Sequence, residues 1–244
     1  MRANEGEIKK HLQVITKRWG ELDQEADFEI RCLLPENSKI NKSKKFKRDQ
    51  IQNAVKYALE QNEKYNVYVT INPIAPNRPN PHARDEDILC AFYCYCDCDT
   101  PESVVNLQNT MQEGFVGSFS VHTGQKPKRG HMYYEMTQPM VDLDHWRIMQ
   151  KAIAHKIRSD EVVNNPSRIM RLGGTVNYPD KGKREKGRVI EMTTFTQYDA
   201  PQRTQEEMKE FFPSPKNKEP FNIYLQGMTQ TERLDVENAL SLVK

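Results

Sequence analysis

No apolar run in this sequence approaches the roughly 18 residues that a membrane-crossing helix needs. Its opening residues, Met1-Arg2-Ala3-Asn4-Glu5, lack the basic-then-apolar plan of a signal peptide. A cytoplasmic protein without a membrane partner is the expectation. The stretch Gly-x-x-x-x-Gly-Lys-Ser/Thr is also missing, which removes the phosphate-cradling loop of P-loop enzymes. Cysteine is scarce, and its five residues are an odd number with four of them between positions 90 and 98, so no disulfide framework is expected. Charge imbalance is lacking too: 36 basic against 34 acidic side chains leave a net +2. Affinity for a polyanion would therefore have to come from how charge is distributed. Neither an internal repeat nor a low-complexity block is evident.

The 244 residues suffice for one substantial domain or two small ones. Ile8, Leu12, Ile15 and Trp19 recur at helical spacing, and residues 28–34 read as a strand stopped by Pro35. Ile51, Val55 and Leu59 mark a second helix, residues 66–72 a strand stopped by Pro73, and the proline- and asparagine-rich stretch to Asp85 a loop. Thr100 and Pro101 suit the N-cap and first turn of a helix reaching about Met111. Residues 115–122 and 131–136 read as strands joined by a polar loop over 123–130, with Pro139 closing the second. Trp146, Met149, Ile153 and Ile157 define another helix, residues 168–176 and 188–193 two further strands, and residues 205–211 and 231–243 two last helices. Strands and helices interleaved in this way make an α+β fold.

The stretch Leu89-Cys90-Ala91-Phe92-Tyr93-Cys94-Tyr95-Cys96-Asp97-Cys98-Asp99 is a strand that ends on two carboxylates. Alternation puts Asp97 and Asp99 on one face and Cys94, Cys96 and Cys98 on the other. Paired carboxylates at a strand end suit a hard divalent cation such as Mg²⁺ or Mn²⁺; such a pair also simply ends a strand and begins a turn, and the motif alone leaves both readings open. Same-face strand residues lie about 7 Å apart, too far for several cysteines to close on one zinc ion, so the cysteines are read as buried packing. Two basic clusters, residues 39–48 and 181–188, track phosphates or form solvated loops. Downstream, Thr123-Gly124-Gln125-Lys126-Pro127-Lys128-Arg129-Gly130-His131 combines close backbone approach with phosphate partners. Arg168 and Arg171 enter the following strand, and Asp160 stands ready to complete a carboxylate set with Asp97 and Asp99.

In this order and content the chain resembles the archaeo-eukaryotic primase superfamily, and within it the primase-polymerase domains of plasmid and phage replication proteins. The resemblance runs over about residues 28–181. Asp97 and Asp99 look like the first motif and the Thr123 to Tyr133 stretch like the second, with His131 at the histidine that contacts the nucleotide's triphosphate. Asp160 and the segment from Ser167 to Asn177 look like the third. Gly173 stands where proline is frequent in the family, and Lys181 comes later than the family's lysine. The Asn-x-Tyr-x-Thr-x-Asn-Pro segment over residues 66–73 is similar to one of this group as well.

The resemblance implies a catalytic core with an RRM-like antiparallel sheet plus an N-terminal α/β unit, together spanning residues 1–200, and a C-terminal helical extension over 201–244. It implies a template-dependent nucleotidyltransferase that synthesises and extends primers in a bacterial, phage-host or plasmid-host cytoplasm. Two Mg²⁺ or Mn²⁺ ions would be held by Asp97, Asp99 and Asp160, with His131 joining them among the catalytic residues. The nucleotide, an NTP or dNTP, would be held by Thr123, Lys128, Arg129, His131, Arg168 and Arg171. Single-stranded DNA template would lie on Lys42, Lys44, Lys45, Lys47, Lys183 and Arg184, and a replicative helicase would act in trans or from a missing C-terminal region. A chain ending on a helical pattern without a capping signal fits a fragment of a longer replication protein. The rival expectation is a non-catalytic initiator that binds origin DNA through the same basic surface. A rolling-circle nicking enzyme is disfavoured by the missing His-x-His pair.

Overall fold

An edge strand exposes a row of unpaired backbone groups that must be covered or blunted, and this need fixes the surroundings of the carboxylate strand. In the computed structural model, which describes residues 1–214, β4 (Ala91–Cys98) is the edge strand of a four-stranded antiparallel sheet. Side chains of α4 (Leu143–Ile157) take up its free edge. Gln150 accepts from the Tyr95 N–H at 2.9 Å and donates to the Tyr95 carbonyl at 3.1 Å, while the Trp146 indole donates to the Tyr93 carbonyl at 3.0 Å. Beyond α4, the N–H of Asp160 donates to the carbonyl of Asp97 at 3.3 Å.

The same sheet contains β5 (Phe119–Gln125), β6 (Lys128–Met140) and β10 (Thr194–Gln197), in the order β10-β5-β6-β4. With α3 (Pro101–Gln112) and α4 its elements follow in the succession strand, helix, strand, strand, helix, strand. As expected, Thr100 caps α3, accepting from the Ser103 N–H at 3.1 Å with Pro101 in the first turn. Residues 123–130 are not a loop. Strands β5 and β6 pair through Gln125 and Lys128, and only residues 126 and 127 turn the hairpin. Strand β6 also runs through Pro139 to Met140, and the register slip opposite, between Ala91 and Tyr93, lies where proline offers no N–H to the ladder.

A second antiparallel sheet has the order β2-β1-β3-β7, from β1 (Asp27–Leu34), β2 (Asn37–Lys47), β3 (Asn66–Thr70) and β7 (Ile169–Arg171), with α2 (Ile51–Asn62) packed on one face. The basic run 39–48 is thus largely an edge strand, where lysines discourage pairing with another chain. The expected strand 168–176 divides into two, β7 in this sheet and β8 (Val176–Asn177), which pairs with β9 (Glu191–Met192). The basic segment between them forms the short helix α5 (Lys181–Glu185).

The division has a steric cause. Between β7 and β8 the chain turns at Gly174, whose φ of +82° suits glycine, under α1 (Glu5–Thr16). His11 of α1, wholly buried among Phe119, Tyr133 and Phe195, accepts the Gly173 N–H at 3.0 Å, and the Asn4 N–H donates to the Gly174 carbonyl at 2.7 Å. A Cβ on Gly174 would stand 2.8 Å from the Asn4 carbonyl oxygen and 2.9 Å from the Ile8 nitrogen. Gly174→Ala should therefore cost roughly 2 kcal/mol or more, read as a lower urea midpoint; an unchanged midpoint would show that α1 does not clamp the turn.

The last described helix, α6 (Gln205–Phe211), packs Phe211 against Phe115 with ring centroids 4.0 Å apart. Residues Met1–Pro213 form one compact unit, so the first part of the 201–244 stretch is built into the body. The expected helix over 231–243 lies outside the described residues. No helix among the described residues is long and apolar enough to cross a membrane.

Candidate active site

A cleft of about 290 Å³ opens between the two large sheets. The C-terminal end of β4 supplies Asp97, with Asp99 just beyond; β5 supplies Thr123, β6 Arg129 and His131, β7 Arg171 with Arg168 before it, β8 Asn177, and α5 Lys183. Leu33 of β1 and Tyr68 of β3 form the opposite wall. Of the sequence-predicted residues, Asp97, Asp99, Thr123, Arg129, His131, Arg168, Arg171 and Lys183 meet here. Lys128 lies outside, lining a cavity on the α3 side of the hairpin.

Asp97 and His131 are direct cross-strand partners, so the register of the β4–β6 pair sets the centre of the site. Asp97 is half-buried, and its Oδ1 is enclosed without a hydrogen-bond partner; His131 Nε2 stays 3.6 Å away. Burial first, then the charges of Asp99 and Asp160, push the Asp97 carboxyl up to about 7, against the pull of Arg168 and Arg171. His131 is pushed down to about 3 by burial and by the Arg171 charge, so its ring is neutral near pH 7, with Nδ1 3.1 Å from the Tyr133 hydroxyl.

Arg171 is fixed in place from below. It donates to Asn66 Oδ1 at 2.9 Å and to the Tyr68 hydroxyl at 2.7 Å, with its guanidinium 4.6 Å from the centre of the Tyr68 ring. Asn66 and Tyr68 belong to the 66–73 segment singled out in the sequence, and anchoring this arginine is what two of its residues do. Asn177 holds the Thr123 carbonyl at 2.8 Å, tying β8 to the end of β5.

Arg129 is buried across Gly124, its Nη2 3.5 Å from Glu191 and its Nη1 unpartnered. Burial, and next the nearby Arg188, lower its pKa. A Cβ on Gly124 would collide with Nη2 and stand 2.6 Å from Cζ of that guanidinium. Gly124→Ala should displace Arg129 and so weaken by about tenfold the binding of any phosphate-bearing ligand that the cleft takes, with little loss of thermal stability because the obstructing atoms end a flexible side chain. Unchanged affinity in titration calorimetry would remove Arg129 from the binding set.

Asp160 is beside the strand end but turned toward Arg168, with 3.9 Å between Oδ2 and Nη2. Among the described residues no three His, Cys, Asp or Glu side chains gather as a metal-binding group. The donor set still fits a hard divalent cation at Asp97 and Asp99: an enclosed carboxylate oxygen without a donor, a second carboxylate two residues on, and room for phosphate oxygens. The thiols of Cys94, Cys96 and Cys98 are buried and free, and burial pushes the Cys94 thiol up.

The basic residues expected to hold template lie apart from the cleft, Lys183 excepted. Lys42 stands over the Tyr65 ring at 5.1 Å and Lys44 over Phe46 at 5.2 Å. Lys45 donates to the Asn80 carbonyl at 2.8 Å, Lys47 pairs with Glu25, and Arg184 pairs with Glu36 at 2.6 Å. Arg188, not singled out from the sequence, enters the cleft and reaches Asp99 Oδ2 at 3.3 Å.

No protein-family model matches the chain, and no curated protein matches it. Similar solved structures include the AEP domain of the cyanophage S-2L primase-polymerase, with a TM-score of 0.60 and 19% identity over 87% of this chain and 100% of that one. Primase RepB′ matches with a TM-score of 0.56 and 13% identity over 96% of this chain and 68% of that one. The catalytic domain of primase RepB′ in complex with initiator DNA gives 0.53 and 14% over 84% and 93%. The chain has the fold of these primase domains.

Proposed function

We propose that this chain is a template-dependent nucleotidyltransferase, a DNA primase-polymerase that makes and extends primers. The observation that carries the reading is the meeting, at the end of one strand, of a carboxylate pair with Arg129, His131, Arg168 and Arg171 in a single cleft. Carboxylates alone would suit a cation and cations alone an anion; together they suit a nucleoside triphosphate that arrives with a divalent metal.

Asp97 and Asp99 would hold Mg²⁺ or Mn²⁺, with Asp160 next to them. The bound ion would supply the positive charge that acidifies a primer 3′-hydroxyl and neutralises departing pyrophosphate. Arg129 and His131 would grip the triphosphate from the β5–β6 hairpin. Arg171, locked onto Asn66 and Tyr68, presents a fixed charge to the phosphoryl group, and such preorganised groups need not reorient as charge develops. Single-stranded template would lie across the neighbouring basic surface, with binding that falls steeply with salt.

The test offers primed and unprimed single-stranded templates of defined sequence with labelled nucleotides and Mg²⁺ or Mn²⁺. Incorporation complementary to the template supports the reading. DNA binding with no incorporation under any metal supports the non-catalytic initiator instead.

A further inference from the structure

Arg188 sits on the segment that leaves α5, and the backbone fixes where it can reach. Its N–H donates to the Lys183 carbonyl at 3.0 Å and the Gly187 N–H to the Arg184 carbonyl at 2.9 Å, while Glu191, three residues on, is held in β9 opposite Asn177. Lys183 and Arg188 of this segment line the cleft. Glu191 pairs with Arg129 of the β6 hairpin, and Arg188 pairs with Asp99 at the end of β4. The two arginines are close enough that Arg188 disfavours the charge on Arg129, and Asp99 and Glu191 offset that repulsion. Arg188 is largely covered, with 22% of its side chain exposed against 46% for Asp99.

We propose that Arg188 couples cation binding to nucleotide binding: its guanidinium competes with a divalent cation for Asp99 and, once Asp99 is engaged by that cation, donates to the triphosphate. The inference rests on the nucleotidyltransferase reading of the cleft. A guanidinium and a divalent cation cannot both neutralise one carboxylate fully, so the ion pair opposes the cation when it arrives alone. With Asp99 engaged, Arg129 and Arg188 face each other with less compensation, and a polyanion is the ligand that relieves them. Guanidinium–phosphate contacts are strong and bidentate. Arg188 thus acts with opposite sign on the two ligands, which a residue that merely props the loop would not do.

Binding is measured by titration calorimetry on the full chain with Mn²⁺ alone, and with a non-hydrolysable nucleoside triphosphate in saturating Mn²⁺. Arg188→Ala should bind Mn²⁺ about threefold tighter, the size of a partly exposed ion pair, and the nucleotide about tenfold weaker. Arg188→Lys, which keeps the charge, should restore much of both, and thermal melts check that each variant is folded. If wild type binds both ligands and Arg188→Ala leaves either affinity unchanged or shifts both in one direction, the coupling is refuted and the cleft reading stands. Should wild type bind neither ligand, both fall together.

Discussion

Asp97→Asn combined with Asp99→Asn is expected to lower nucleotide incorporation by about 10³-fold or more while DNA binding stays within about twofold. The two carboxylates are the cleft's metal ligands in this account, and asparagine keeps their shape without their charge. The basic residues that would hold template lie apart from the cleft, on β2 and at Arg184 of α5, with Lys183 alone lining it, so their contribution should survive. Fluorescence anisotropy with labelled single-stranded DNA, run beside the incorporation assay, separates the two. If incorporation persists in the double variant, the metal assignment is wrong; if DNA binding is lost with it, the carboxylates serve the fold or the DNA surface instead.

Metal affinity should rise by about tenfold per pH unit up to about pH 7 and then level off. Asp97 titrates at about 7 in the folded protein against an ordinary 3.8, so below 7 a cation must displace its proton. The same shift has a stability consequence. Between about 4 and 7 the folded chain keeps a proton that the unfolded chain has released, so Asp97 stabilises the fold at low pH and that contribution is lost as pH rises to 7. His11 and His131, both held near 3 by burial, act in the opposite sense: their contribution is present above 6.5 and is lost as pH falls toward 3. The net curve mixes these effects, and only a difference isolates Asp97. The melting temperature of Asp97→Asn minus that of wild type, with EDTA present, should grow from pH 4 to pH 7 by roughly 10 °C and then stay flat. A difference independent of pH would show that Asp97 is solvated as an ordinary carboxylate.

The elements legible in the sequence were those with one dominant local signal. Strand β4 announced itself by a nearly unbroken apolar run, α3 by Thr100 and Pro101, and α6 by its own short pattern. Strand β2 was not legible, because an edge strand exposed on both faces carries no apolar alternation and its lysines read equally as loop. The expected loop over 123–130 is wider than the turn at 126 and 127 because glycine and the cations near the cleft interrupt the strand pattern there. The 168–176 stretch read as one strand, since nothing local says that α1, more than 150 residues earlier, forces the turn at Gly174. The Asp-x-Asp pair and the Thr123–His131 stretch were legible because their residue types are uncommon together. Arg188 stood among other cations, and its partner Asp99 is 89 residues away, so only the fold could single it out.

The most direct test of the account is crystallographic: anomalous scattering from Mn²⁺ in crystals grown with a non-hydrolysable nucleoside triphosphate. Manganese is expected at Asp97 and Asp99, with triphosphate oxygens against Arg129 and His131. Manganese bound elsewhere, or a triphosphate that avoids the cleft between the two sheets, would contradict it.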